Sequence, residues 1–422
     1  MPKKSLLSLL SMFVLTSAVL PCLAWTEEVR FPVSAYTPQE LSRVRRWEKN
    51  WDGRTITKEK VVGVSAFLPE CLVQVYLKPE KCGGPPEGFY FHIAPYEQIM
   101  PTTGVVEATM RYAPTVRITG NGSIETYAHI AGVPFPNPKT GLEIAWNFDF
   151  NTRGDSSRFR RYTPNIDLAN KAERPQEAEC WELYFAHRVD REPRPMLHNN
   201  KKKIHWAGFY HMYKPNEYAN TRRYTLRYLD FDRDDDQYMY NSLTRRLMRL
   251  STAHRTDAVE GSSIIYDDEY CWNGQIPRNS YTYLGRKEYL AVRHLDADVL
   301  ERQSGQIIFN NIKRERISTL AVEVVSKDPS YIYSKRIWYV DPETYNILCS
   351  QVYDRNGRFW KFMEQLCENV SNENGEHKSF VAACHVIDYR RKFAAVSTQA
   401  VKAVGRKMNP FMFTMANLQR TY

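Results

Sequence analysis

Residues 335–366 read KRIWYVDPETYNILCSQVYDRNGRFWKFMEQL, and this stretch decides the fold class. Its three runs, 335–340, 345–353 and 358–366, are rich in β-branched and aromatic residues, which is typical of strands. The turn residues 341–344 separate the first two runs, and Asn356-Gly357 between the last two is a strong hairpin signal. The stretch therefore predicts three consecutive antiparallel strands.

The second hairpin also predicts a register. If Asn356-Gly357 is a two-residue loop, Tyr353 lies opposite Trp360 and Cys349 lies opposite Glu364. Alternation along the strands then places Cys349 and Cys367 on opposite faces of the sheet. We therefore expect no disulfide bond between these two cysteines.

The rest of the chain is dominated by similar runs. Short segments rich in Tyr, Val, Ile and Phe alternate with turn residues, and long helical periodicity is scarce. This pattern favours antiparallel sheets over a βαβ fold. The predicted strands include 72–77, 115–119, 123–129, 204–213, 223–231 and 317–325.

One amphipathic helix is predicted at 37–52. Thr37 and Glu40 form a capping box, and Pro38 occupies the first helical position. Apolar residues then recur at helical spacing, and Trp47 and Trp51 are the last two of them. We expect this helix to cover one face of the main sheet.

The first 24 residues have the composition of a secretory signal. Lys3 and Lys4 precede an apolar run at 6–20, and small Ala24 precedes the polar start of the mature chain. Pro21 disfavours lipid attachment at Cys22. We therefore expect cleavage of residues 1–24, followed by one exported domain over 25–422.

Composition excludes several classes of protein. The chain has 422 residues, 43% of them hydrophobic, and its mean hydropathy of −0.55 excludes a polytopic helical membrane protein. The formal charge is +10, and loss of the two leader lysines leaves +8. Export argues against a nucleic-acid partner. The excess positive charge then indicates either a solvated basic surface or contact with an anionic lipid or an acidic partner.

Catalytic and metal signatures are absent from the sequence. It contains no G-x-S-x-G, HExxH, P-loop or G-x-G-x-x-G pattern. The seven mature cysteines show no zinc spacing, and the histidines are scattered. We therefore expect a non-catalytic protein without metal or cofactor.

Three segments carry a resemblance to a known family. They are 132–147 with its three prolines, 235–268 with its Tyr266-Asp267-Asp268 end, and 338–360 with its Asn356-Gly357 turn. In order and spacing they resemble an exported bacterial family, domain of unknown function 1329, which is described as outer-membrane lipoprotein-sorting-like.

The resemblance implies a fold like that of the lipoprotein carriers LolA and LolB. That fold is mainly β, with a large curved antiparallel sheet, or half-open barrel, and a few covering helices around a hollow. It implies a periplasmic carrier for a lipid or other hydrophobic molecule, peripheral to the outer membrane or free in the periplasm. The implied partners are an efflux-type inner-membrane transporter or an outer-membrane protein.

Candidate ligand contacts come from the same segments. Phe135 lies between prolines in the Pro-rich loop predicted at 130–147, and either packs that loop or lines a ligand mouth. Asp267 and its acidic neighbours either join an internal ion-pair network with Arg245, Arg246 or Arg255, or pair with Arg246 to recognise a lipid head group. The full candidate set is Phe135, Trp146, Tyr238, Tyr240, Arg246, Tyr266 and Asp267.

Two other functions remain open from the sequence. Strand richness and 27 tyrosines are compatible with an outer-membrane β-barrel channel, although Arg420 is unfavourable in a lipid-facing final strand. An exported hydrolase assembled from distant residues is the other alternative.

Overall fold

The computed structural model describes residues 31–82, 84–151, 154–167, 172–250, 255–258, 262–296, 299 and 310–419. The predicted leader, 1–24, lies outside them. The helices are α1 (Pro38–Lys49), α2 (Glu70–Leu77), α3 (Thr103–Tyr112), α4 (Gly141–Phe150) and the short α5 (Met415–Leu418). The strands are β1 (Thr55–Ile56), β2 (Phe91–Ala94), β3 (Ser156–Asp167), β4 (Ala172–Tyr184), β5 (Ile204–Lys214), β6 (Arg222–Tyr228), β7 (Asp236–Asn241), β8 (Arg246–Leu250), β9 (Asn279–Ala291), β10 (Ile312–Ser326), β11 (Tyr333–Val340), β12 (Ile347–Asp354), β13 (Phe359–Ser371), β14 (His377–Asp388) and β15 (Phe393–Val404).

All fifteen of these strands belong to one open sheet. Its order is β1-β2-β10-β11-β12-β13-β14-β15-β3-β4-β5-β6-β7-β8, and β9 pairs with β10 beside β2. Every pairing is antiparallel except β2 with β10. The C-terminal strand β15 pairs with β3, which joins the two halves of the chain. The prediction of a large antiparallel sheet with a few helices is confirmed, with one parallel pair added.

The central strands are buried on both faces. On β11 and β13, neighbouring residues alternate between two apolar clusters, with Tyr339 and Phe362 facing one and Trp338 and Met363 facing the other. We call these the N-terminal core, which α1 and α2 cover, and the α4 core, which α4 covers. Because the sheet is buried on both faces, the sequences of these strands are nearly continuous apolar runs.

Helix α1 confirms the sequence prediction. Thr37 caps it, and the capping box with Glu40 is complete. The helix ends at Lys49 rather than at residue 52, because Asn50 forms its C-cap. Its Val44 is buried in the N-terminal core, as expected for a helix that covers the sheet.

The strand predicted at 72–77 is wrong, since this segment lies in helix α2. Leu72, Val73, Val75 and Tyr76 are all buried in the N-terminal core. A helix that is apolar nearly all round has no clear period, and its β-branched residues imitate a strand. Packing against the sheet therefore outweighs the local preference.

The segment 115–147 also differs from the prediction. The strands predicted at 115–119 and 123–129 reduce to one bridge, Ile118 with Ile124, and a 3₁₀ turn at Tyr127–His129. Within the predicted loop 130–147, helix α4 begins at Gly141. Thr140 and Glu143 form its capping box, a local signal that outweighs the preceding prolines.

The predicted hairpin is present with one irregularity. Cys349 pairs with Glu364 as expected, but a bulge after Val352 pairs Tyr353 with Phe359 instead of Trp360. A bulge places one extra residue on one strand, and its position is not encoded in the turn. Cys349 and Cys367 are free thiols, as expected, but the prediction that they lie on opposite faces is wrong. Both are buried in the N-terminal core, because a further irregularity between Leu366 and Cys367 interrupts the alternation along β13.

Candidate functional site

A cavity of about 760 Å³ lies on one half of the sheet. We call it the arginine cavity. Strands β3–β6 with β14 and β15 form one wall, and residues 262–270 form the other. Much of this volume is open to solvent, and its enclosed part is about 80 Å³. Its lining residues are Arg161, Thr163, Gln176, Tyr210, Arg223, Ser262, Ile264, Ile265, Tyr266, Asp268, Glu269, Tyr270, Cys384, Ser397 and Gln399.

Two guanidinium groups give the arginine cavity its charge. Arg161 Nη2 lies 2.9 Å from a carboxylate oxygen of Glu269. The guanidinium of Arg223 lies 5.2 Å from the ring centre of Tyr210 and 5.0 Å from that of Tyr266. Stacking over aromatic rings orients a guanidinium group within the cavity.

A third charged group of the lining, Asp268, is fully engaged by the fold. Its carboxylate accepts hydrogen bonds from Arg336 at 2.9 Å and Lys361 at 3.1 Å. Burial alone would raise the pKa of Asp268, but these two cations hold it below its usual value. Asp268 is therefore a charged structural group whose negative charge is already neutralised.

Two polar atoms of the lining lack partners. Arg161 Nε and Gln399 Oε1 are buried and form no hydrogen bond with any residue that the structure describes. Buried polar groups are nearly always paired, so such atoms require an explanation. A bound guest with both a donor and an acceptor would satisfy them.

Of the predicted site residues, only Tyr266 lines the arginine cavity. The neighbouring Asp267 accepts hydrogen bonds from Arg255 at 2.7 Å and from the Tyr331 hydroxyl at 2.9 Å. The ion-pair network expected around Asp267 is therefore present, with Arg255 as the partner among the three arginines predicted for it.

Two further predicted residues are packed in the α4 core. Trp146 is fully buried and its Nε1 donates to the Gly122 carbonyl at 3.0 Å. Phe135 is partly buried, and its main-chain N–H and C=O are both bound by the Asn147 side chain. These contacts tie the Pro-rich segment to helix α4 and tie α4 to the loop at Gly122.

The remaining three predicted residues lie outside the arginine cavity, on β7 and β8, the last two strands in the order of the sheet. On β7, the Tyr238 ring stacks on Tyr224 with centres 5.2 Å apart, and the Arg222 guanidinium lies over the ring of Tyr240. Arg246 is exposed at the start of β8. The structure therefore does not bring the seven predicted residues together.

A second, more apolar cavity of about 610 Å³ lies beside the Pro-rich segment. Gly132 and Val133 line it, although Phe135 does not. Its other apolar walls come from Phe31, Ile99, Met100, Pro101, Val105, Phe150, Val189 and Tyr345.

Sequence reasoning missed the main polar groups of the arginine cavity. Arg161 and Arg223 lie 62 residues apart in sequence, on β3 and β6, and Gln399 lies on β15. No spacing motif connects them, because long-range strand pairing places them on one face.

The fold is thus an open, mainly antiparallel sheet of the α+β class with cavities beneath its covering segments. The chain belongs to the family described as protein of unknown function DUF1329, whose profile matches residues 84–419. No helix that the structure describes is long and apolar enough to cross a membrane.

One curated relative is an uncharacterized protein of Pseudomonas aeruginosa. It is 23% identical over 278 residues, which cover 63% of this chain. The match spans 59% of that relative's length.

Three solved structures are similar to this chain over 66% of its length. A DUF1329 family protein from Desulfovibrio piger is 14% identical, with 97% of it covered and a TM-score of 0.49. A putative outer membrane lipoprotein-sorting protein domain from Vibrio parahaemolyticus is 14% identical, with 98% covered and a TM-score of 0.47. A LolA superfamily protein from Nitrosomonas europaea is 12% identical, with 100% covered and a TM-score of 0.39. At such low identities and scores, function must be inferred from the chain's own residues.

Proposed function

We propose that the protein is an exported, non-catalytic carrier for a lipid or other hydrophobic molecule that bears an anionic group. The supporting observation is the arginine cavity, where two guanidinium groups lie among aromatic and aliphatic side chains. A guest with an apolar body and an acidic end matches this combination of charge and surface.

The physical contributions of the two parts differ. Burial of an apolar chain contributes about 0.8 kcal/mol per CH₂, without any catalytic group. Arg161 and Arg223 supply orientation, because a guanidinium binds a carboxylate or phosphate through paired hydrogen bonds. The partial exposure of both Arg161 and Glu269, 16% and 29%, leaves room for a guest to compete for the arginine.

The cellular setting belongs to the same proposal. The leader predicted at 1–24 sends the chain to the periplasm, where it serves an envelope transport system. Its partner is an efflux-type inner-membrane transporter or an outer-membrane protein, which receives or delivers the guest. The second cavity beside the Pro-rich segment offers further apolar surface for a longer guest.

The test uses the full mature chain and a fluorescent long-chain fatty acid. We expect saturable binding, and we expect Arg223→Gln to weaken it by about tenfold because one charged hydrogen-bond partner is lost. Arg358→Gln, at an exposed arginine distant from the cavity lining, is the matched control and should bind as the wild type does.

Two outcomes would contradict the proposal. One is the absence of fatty-acid uptake together with a native mass spectrum that shows no co-purified apolar molecule. The other is weakened binding in Arg246→Gln with Arg223→Gln unchanged, which would move head-group recognition to the exposed strand β8. Circular dichroism of each variant confirms that the fold is intact.

A further inference from the structure

We infer that Asp149, His187 and His205 form a binding site for a divalent transition-metal ion of the zinc type. Asp149 lies on α4, His187 follows β4, and His205 lies on β5. One ligating atom from each of the three side chains lies within 4.8 Å of the other two. This site is separate from the arginine cavity, and the proposed carrier function does not require it.

His187 presents a lone pair without a partner. The residue is fully buried, and its Nε2 lies 2.8 Å from the main-chain oxygen of Tyr127. Because a carbonyl oxygen only accepts, Nε2 carries the hydrogen and Nδ1 of the neutral ring keeps its lone pair. Nδ1 is buried and has no hydrogen-bond partner among the residues that the structure describes.

His205 shows the same arrangement through the side chain of Tyr127. The Tyr127 hydroxyl donates to Asp149 Oδ2 at 2.6 Å. Its oxygen therefore accepts from His205 Nδ1, 3.2 Å away, and Nε2 of His205 keeps the lone pair. Nε2 is likewise buried and, within the described part of the chain, without a partner.

Two buried imidazoles with unused lone pairs are costly in a protein interior. The pattern is nevertheless the usual one for metal ligands, which donate their second ring N–H to a carbonyl or another fixed acceptor. Tyr127 provides that acceptor for both rings and also fixes the Asp149 carboxylate. The backbone of His187 adds support, since its φ of 61° is uncommon for any residue except glycine.

The ligand set indicates the kind of metal. Two imidazole nitrogens and one carboxylate suit zinc and related ions, with metal–ligand bonds of about 2.0–2.2 Å. Tetrahedral ligands at that distance lie about 3.4 Å apart, so small side-chain rotations would close the present spacing. Three protein ligands leave one coordination position for another group.

The surroundings of the three proposed ligands are compatible with a bound cation. Asp149 and His205 line a cavity of about 550 Å³, which gives an ion a route to the site. Arg227 lines the same cavity but is paired with Asp235 at 2.8 Å, so its charge is neutralised.

The experiment is a zinc titration of tag-free, chelator-treated full-length mature protein. We expect one zinc ion per chain in the native mass spectrum and visible absorption bands when Co²⁺ replaces zinc. His205→Gln and Asp149→Asn should each weaken zinc binding at least about tenfold, since each removes one of three ligands. Circular dichroism separates this effect from unfolding.

His211→Gln is the matched control, because His211 lies on the same strand, bonds the Asn220 side chain at 3.3 Å and is not one of the three proposed ligands. It should bind zinc as the wild type does. The inference is overturned if the folded wild type takes up no stoichiometric zinc or Co²⁺, or if His205→Gln and His211→Gln bind zinc equally. Fatty-acid binding measured on the same samples reports separately on the carrier proposal.

Discussion

Buried arginines occur in both halves of the sheet, but they are satisfied to different degrees. Just after β9, fully buried Arg293 binds Glu315, Asp341 and Glu343 at once. At the arginine cavity, Arg161 has one partner, Glu269, and its Nε has none among the described residues. Burial of charge is therefore not in itself a sign of a binding site.

Structural charges differ from charges that can bind a guest in how completely the fold pairs them. A closed cluster satisfies its own hydrogen bonds and has no capacity left, as with Arg293, whose Nε, Nη1 and Nη2 all donate to carboxylates. An incompletely paired arginine that faces a cavity retains that capacity. The predictions below test this distinction.

The largest effect is expected at Arg293. Arg293→Met leaves three buried carboxylates without their common cation, and breaking even one buried pair costs about 3–5 kcal/mol. We expect loss of most of the folding stability, measured as the urea midpoint by tryptophan fluorescence. Arg358→Met is the control, since this exposed arginine should contribute less than about 1 kcal/mol. Equal midpoints for the two variants would contradict a structural role for the Arg293 cluster.

The pair of Arg314 and Glu364 allows a sharper test. Arg314→Met alone should cost about 3–5 kcal/mol, because it leaves buried Glu364 uncompensated. The double variant Arg314→Met with Glu364→Leu should recover much of that loss, since no unpaired charge remains. Urea unfolding of the single and double variants gives the coupling energy. A double variant as unstable as the sum of both single ones would show that the pair is not closed.

The same contrast explains what could be predicted from the sequence. The unit 335–366 and helix α1 were predictable because their signals are local: Asn356-Gly357 for the hairpin, and the Thr37–Glu40 capping box for the helix. Helix α2 was not predictable, since its apolar, β-branched residues have no period and only packing decides their conformation.

The candidate sites depend on contacts that are distant in sequence. Arg161 and Gln399 share the arginine cavity because β15 pairs with β3, a pairing that no local pattern encodes. His187 and His205 lie close to Asp149 because strands and a helix pack together, and no local pattern encodes that packing either. Tyr266 was found because its acidic neighbours made the segment distinctive, and one of their predicted partners, Arg255, is paired with Asp267.

A smaller effect is expected at Arg161. Arg161→Met removes a cation from beside Glu269, whose carboxylate is 29% exposed and can be hydrated in the cavity. We therefore expect a loss of about 1 kcal/mol, as for exposed ion pairs, together with weaker fatty-acid binding. The urea midpoint and the fluorescence titration measure the two effects. A loss as large as that in Arg314→Met would place Arg161 among the closed structural charges.

Glu368 on β13 is an exception within the closed half, and its replacement should stabilise the protein slightly rather than destabilise it. Its carboxylate has no ion pair or hydrogen bond with any described residue, and burial raises its pKa from 4.5 to about 7. A raised folded-state pKa gives stability that is complete below pH 4.5 and is lost as the pH rises through 7. Since the side chain is partly exposed, we expect Glu368→Gln to stabilise the protein by about 1–2 kcal/mol at pH 8.

The pH dependence distinguishes this effect from a general gain in packing. At pH 4.5 most of the difference between Glu368→Gln and the wild type should disappear, because the folded wild type is then protonated and uncharged. Urea midpoints at both pH values test this, with Glu125→Gln at an exposed loop position as the control. An equal gain in stability at both pH values would mean that Glu368 does not carry an uncompensated charge. The central strands would then contain no exception to the pairing of their buried charges.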